Sequence, residues 1–128
     1  PQFMQFMDLR WAEGSYPFMG AAQPDFGGWM RFHPDFHQQR PMQIQDLITL
    51  MDAWPPAILP LCKGMAPASS LSWQVTMVNE IENNVIDWLK YKVITDHAQH
   101  GYATEHAYVW DQQDRLIAIY HQTVAVFA

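Results

Sequence analysis

Leu71, Trp73, Val75 and Met77 alternate with Ser70, Ser72, Gln74 and Thr76 along one stretch of the chain. A period of two sends successive side chains to opposite faces, so this stretch predicts a half-buried β-strand. Residues 3–11 and 27–33 read as two earlier strands, the second stopped by Pro34. Residues 85–95, 102–110 and 116–127 are rich in Val, Ile, Ala and aromatic residues and read as three later ones. Polar segments at 79–84, 96–101 and 111–114 separate the last four strands as turns.

The period changes between residues 41 and 54. Ile44, Leu47, Ile48 and Met51 recur at helical spacing, and Leu50 and Trp54 widen the apolar stripe. Pro41 suits a first-turn position, where a missing N–H costs nothing. Pro55 and Pro56 stop the helix. So wide a stripe predicts a helix largely enclosed by other elements. The order is then strand, strand, helix and four strands joined by short turns, which predicts an antiparallel meander. One long apolar helix wrapped by an antiparallel sheet of about six strands is an α+β arrangement, the shape of a hot-dog fold.

Composition narrows the function. The chain has 128 residues, 49% of them hydrophobic and 16% charged, which suits one ordinary domain with a substantial core. Eight Met and six Trp supply core filler or the lining of an adaptable apolar pocket. The net charge is −6 with seven Lys and Arg and no basic stripe, which sets nucleic acid aside as a partner. No apolar run reaches the roughly 18–20 residues of a membrane span. One cysteine, Cys62, permits no internal disulfide and fits a reducing, cytoplasmic setting. The histidines lack the spacing of a zinc site, and no glycine-rich phosphate loop or Gly-x-Ser-x-Gly elbow occurs. No cofactor is expected.

Asp52 stands out, because it closes the predicted helix. A carboxylate there faces the negative end of the helix dipole, at a cost of ~0.3–1 kcal/mol. It is either a solvated or backbone-bonded helix-end residue, or a group that accepts a proton or holds a water. Ser70 is either a solvent-facing strand serine or a hydroxyl at a site. Gln122, set among Tyr120, Val124 and Val126, is either an edge or core amide with its bonds made or a polar group at a site.

Three stretches resemble the C-terminal hot-dog domain of the type II acyl-CoA thioesterases, members of the double hot-dog superfamily. They are Leu50-Met51-Asp52-Ala53-Trp54-Pro55-Pro56, the hydroxyl-bearing Ser69-Ser70-Leu71-Ser72-Trp73-Gln74-Val75, and the final hairpin with Trp110-Asp111, Arg115-Leu116-Ile117-Ala118 and His121-Gln122. The glycines before Trp29-Met30-Arg31 also fit. The resemblance implies that Asp52, Ser70 and Gln122 position a hydrolytic water at an acyl thioester, with Ser69 as the fallback hydroxyl. Relatives often carry Thr at the Ser70 position, whose methyl restricts the rotamer. The turn at 112–114 lacks the expected glycine, but Asp114 tolerates a positive φ.

The resemblance also implies that residues 1–128 form a single hot-dog domain, the C-terminal repeat of a longer double hot-dog protein. Its partners would be an acyl-CoA or related thioester and either another hot-dog repeat or a second copy in a homodimer. Two other functions stay open. One is a non-catalytic module that binds acyl groups or completes a dimer. The other is an acyl-thioester hydratase or dehydratase, for which Asp52 lacks a neighbouring His in sequence. Arg31, Arg40, Lys63, Lys90 and Lys92 are candidates for the phosphates of CoA.

Overall fold

A computed structural model describes residues 5–34, 42–81 and 88–127. Six strands form one antiparallel sheet: β1 (Met7–Gly14), β2 (Phe26–Phe32), β3 (Ala68–Met77), β4 (Leu89–Gln99), β5 (Tyr102–Trp110) and β6 (Leu116–Val126). Helix α1 (Ile44–Asp52) lies between β2 and β3 in the chain, and a short 3-10 turn at Leu59–Leu61 follows it. The spatial order is β1-β2-β4-β5-β6-β3.

That order corrects the expected four-strand meander. Of the four strands after the helix, β4, β5 and β6 are successive neighbours, whereas β3 pairs with β6 at the far edge. Residues 78–88 connect β3 to β4, too long a segment for a tight hairpin and long enough to cross the sheet. The hairpin expected to turn over 96–101 turns only at His100 and Gly101, both at positive φ. A register shift between Thr95 and His97 keeps Asp96 within β4 as a bulge. The turn before β6 matches its expectation. Asp114 has φ 61°, and Asp111 accepts hydrogen bonds from the backbone N–H groups of Gln113 and Arg115, each at 2.9 Å.

The helix is shorter than the apolar pattern suggested. It has nine residues, with Gln43 as N-cap, and Pro41 lies outside the described residues. The Gln43 N–H donates to Asp46 Oδ2 at 2.9 Å, so an acid in the first turn satisfies a free donor and complements the dipole. Leu47, Leu50 and Met51 are fully buried against the sheet, in a cluster with Phe26, Met30, Val93 and Val109. The helix is not enclosed all round, since Ile44 is 51% exposed and Gln45, Thr49 and Asp52 also face outward.

Past the helix, Trp54 folds back into the core. Its ring stacks on Tyr91 at 4.6 Å with an interplanar angle of 7°, and lies 4.8 Å from Trp11. Burying so large a ring two residues after Asp52 fixes where the helix ends. Gly28 on β2 pairs with Trp11, beside the irregularity in β1 between Trp11 and Glu13, where the two strands approach closely. A Cβ there would come within 1.9 Å of the Arg10 carbonyl oxygen, so no other residue fits at that position.

The sheet curls. Met7 on β1 and Ser70 and Trp73 on β3 belong to opposite edges of the six-strand order, yet they line one cleft.

Candidate active site

A cleft of about 540 Å³ opens beside the C-terminal end of α1, lined by Met7, Ile48, Thr49, Asp52, Ala53, Ser70 and Trp73. Asp52 reaches it as the last residue of the helix. Its carboxyl is open to solvent on one side, but the mainly apolar wall removes water on the other. That desolvation raises its pKa above the ordinary carboxyl range. A carboxylate with a raised pKa is a stronger base, and it lies where a small molecule can reach it.

Ser70 enters the same cleft through a β-bulge. Simple alternation along β3 puts Leu71 on the face of Trp73, and Ser70 on the opposite face. The register of β3 with β6 shifts between Ser70, opposite Val124, and Ser72, opposite Thr123. The extra residue, Leu71, is 58% exposed, and Ser70 turns inward onto the face of Trp73 and Val124. Ser69 is opposite Ala125, one position over, and does not line the cleft.

Gln122 lies on the inner face of β6, 8% exposed, between the buried Tyr120 and Val124. Its Nε2 donates to Ser70 Oγ at 2.6 Å. The Ser70 oxygen therefore accepts one hydrogen bond and keeps its own O–H to direct into the cleft. Asp52 and Ser70 thus share a cleft, and Gln122 is joined to it through Ser70.

Sequence reading missed a second buried cluster behind this cleft. Glu105 is 2% exposed and stands opposite Gln122 in the β5–β6 register. Its Oε2 accepts a hydrogen bond from the Ala57 N–H at 2.6 Å. Burial pushes its pKa to about 7, against the lowering effect of that hydrogen bond. The Tyr91 and Tyr120 hydroxyls lie 2.6 Å apart, both buried, and burial raises both pKa values. One sequence signal was available: Glu105 occupies the same strand phase as Ala103, Ala107 and Val109, where a charge is out of place.

The cations proposed for CoA are mostly paired. Arg31 bonds Asp8 at 3.2 Å and lies over the Trp88 ring at 4.2 Å. Lys92 meets Glu13 at 3.0 Å, and Lys90 meets Asp114 at 3.6 Å. Lys63 lies exposed on the loop after the 3-10 turn, and Arg40 is outside the described residues. Among the described residues, no group of three or more His, Cys, Asp or Glu could hold a metal ion. None of their helices is long and apolar enough to cross a membrane.

A six-stranded antiparallel sheet curled over one helix, with a cleft at the helix end, defines a hot-dog domain. Residues 1–126 match the family model of the acyl-CoA thioesterase C-terminal domain, and the chain belongs to that family. No curated protein matches it. Among solved structures it is similar to a hot-dog-fold protein of unknown function from Alicyclobacillus acidocaldarius, at 24% identity and a TM-score of 0.83, covering 98% of this chain and 47% of that one. It is also similar to the tesB protein of Mycobacterium avium subsp. paratuberculosis, at 14% identity and a TM-score of 0.75, covering 99% and 50%. A thioesterase from Haemophilus influenzae shares the fold at 9% identity and a TM-score of 0.70, covering 98% and 82%. The chain spans about half the length of the first two.

Proposed function

We propose that this domain hydrolyses acyl thioesters by direct attack of water, with Asp52, Ser70 and Gln122 holding and activating that water. The observation that carries the reading is the cleft that Asp52 shares with Ser70, whose hydroxyl is held by Gln122. Asp52 accepts a proton as the water oxygen attacks the thioester carbonyl. The tetrahedral intermediate then collapses, its carbon–sulfur bond breaks, and the proton passes to the departing thiolate. No covalent enzyme intermediate is needed. General-base assistance of this kind contributes about 10²–10⁴-fold in rate. Ile48, Ala53 and Trp73 give the acyl chain an apolar wall.

A second hot-dog unit, either another repeat or a second copy of this chain, completes the site in this reading. Ala68–Ser72 on the edge strand β3 are all exposed, and Ile44, at the start of α1, leaves part of the helix face uncovered. An edge strand with bare apolar neighbours favours pairing. The same openness supports the alternative of a binding module that acts only through its partner. The free thiol of Cys62 suits a reducing compartment.

A panel of acyl-CoA thioesters, assayed with a thiol reagent, tests the reading. Hydrolysis that falls at least about 100-fold in Asp52→Asn supports it. Undiminished hydrolysis in that variant removes Asp52 as the base. Acyl-CoA binding without turnover by the wild type favours the binding module.

A further inference from the structure

We propose that Glu105 is a positioning residue for the cleft: by holding the Ala57 N–H against the strand pair that carries Gln122, it sets where Asp52 stands relative to Ser70. The proposal deepens the hydrolytic reading above and rests on it.

Two arms lead from one point of the sheet. Glu105 on β5 and Gln122 on β6 are register partners, and both side chains are buried on the inner face. Gln122 reaches toward β3 and holds Ser70. Glu105 reaches toward the helix exit and holds Ala57, which is fully buried. Ala57 is pinned from its other side as well, since its carbonyl accepts the Asp25 N–H at 2.9 Å.

The link from Ala57 back to Asp52 is short and stiff. Pro55 and Pro56 fix their own φ, and the Trp54 ring is clamped on Tyr91. A shift at Ala57 therefore passes to the end of α1 rather than being absorbed on the way. The other residues in the strand phase of Glu105, Ala103, Ala107 and Val109, carry no side-chain acceptor.

A carboxyl is a costly way to accept one backbone hydrogen bond. Asp25 and Asp96 lie near enough to disfavour its charge, and the buried Tyr91 and Tyr120 hydroxyls lie close by. The uncharged acid still accepts the Ala57 N–H through its carbonyl oxygen. Glutamine offers the same oxygen at the same reach, whereas leucine fills the space without it and aspartate falls short of Ala57.

The test compares Glu105→Gln, Glu105→Leu, Glu105→Asp and Asp52→Asn with the wild-type chain. Urea unfolding first identifies the conditions under which each variant is folded. The readouts are kcat and KM on an acyl-CoA, and the titration of the Asp52 carboxyl carbon followed by NMR. Glu105→Gln is expected to keep kcat within about twofold and leave the Asp52 titration unchanged, while Glu105→Leu and Glu105→Asp lower kcat at least about tenfold with KM little altered. In those two variants more water enters on the cleft side of Asp52, and its titration moves down toward the ordinary carboxyl range.

Wild-type kcat and Asp52 titration in a folded Glu105→Leu or Glu105→Asp overturn the proposal. Equal losses in Glu105→Gln and Glu105→Leu also overturn it, because the amide keeps the bond to Ala57. Hydrolysis that survives Asp52→Asn sinks the hydrolytic reading instead, and the NMR titration then decides the positioning role without any turnover.

Discussion

Gln122 is the register partner of Trp73, yet its side-chain amide bonds to Ser70, on the far side of the Leu71 bulge. The bulge brings Ser70 onto the inner face and within 2.6 Å of that amide. Truncating Gln122 to Ala leaves the Ser70 hydroxyl free to rotate. The expected result is a kcat lower by about 10–100-fold, equivalent to ~1.4–2.7 kcal/mol of transition-state stabilisation, with little change in KM. Steady-state kinetics on an acyl-CoA substrate measures this.

The two adjacent serines should behave differently. Ser70→Ala removes the hydroxyl from the cleft and is expected to lower kcat by about tenfold or more. Ser69→Ala changes a side chain on the opposite face of the sheet and should leave kcat within about twofold. Ser70→Thr keeps the hydroxyl and should keep most of the activity. Parallel assays of the three variants decide whether the bulge chooses the hydroxyl.

Glu105 makes stability depend on pH in an unusual sense. Its pKa rises from 4.5 to about 7 on folding, so the folded chain binds its proton more tightly than the unfolded chain. Its contribution is fully present below about pH 4.5, declines as the pH rises to about 7, and is flat above that. At about 1.4 kcal/mol per unit, the loss across this window is ~3 kcal/mol. Asp8 acts at lower pH with the opposite sign: its hydrogen bond from Arg10 lowers its pKa, and its contribution is lost as pH falls below the ordinary Asp range. Urea midpoints at pH 5 and pH 8 should therefore differ in the wild type, with the higher at pH 5, and converge in Glu105→Gln.

Gly28→Ala tests the close approach of β1 to β2. The added methyl would overlap the Arg10 carbonyl oxygen, and backbone cannot move aside cheaply. A loss of about 3 kcal/mol or more is expected, lowering Tm by roughly 10 °C or more. Thermal unfolding followed by circular dichroism reads it directly.

The strands were legible because side-chain alternation survives in any half-buried sheet. β5 matched its expected bounds, and β2 and β6 shifted by only a residue. The pairing of β3 with β6 was not legible, since periodicity carries no record of which edges meet. The helix was over-extended because Met42 and Trp54 are apolar for other reasons: Met42 packs partly buried against the core and Trp54 stacks on Tyr91. Within the cleft, Asp52 announced itself by its place at a helix end. The inward turn of Ser70 depends on a bulge that strict alternation conceals. Glu105 was visible only as a misplaced charge, and its partner is a backbone N–H that no sequence pattern marks.

Met7 and Ser70 line one cleft from opposite edges of the sheet. The width of that opening is consequently a sum over the whole arc. Each neighbouring pair of strands contributes its spacing of about 4.8 Å and a twist of roughly 20–25°. A small change in twist repeated from pair to pair adds up at the two rims. Substitutions in β4 or β5, remote from any reacting atom, can thus act as a gauge on the size of molecule the cleft admits.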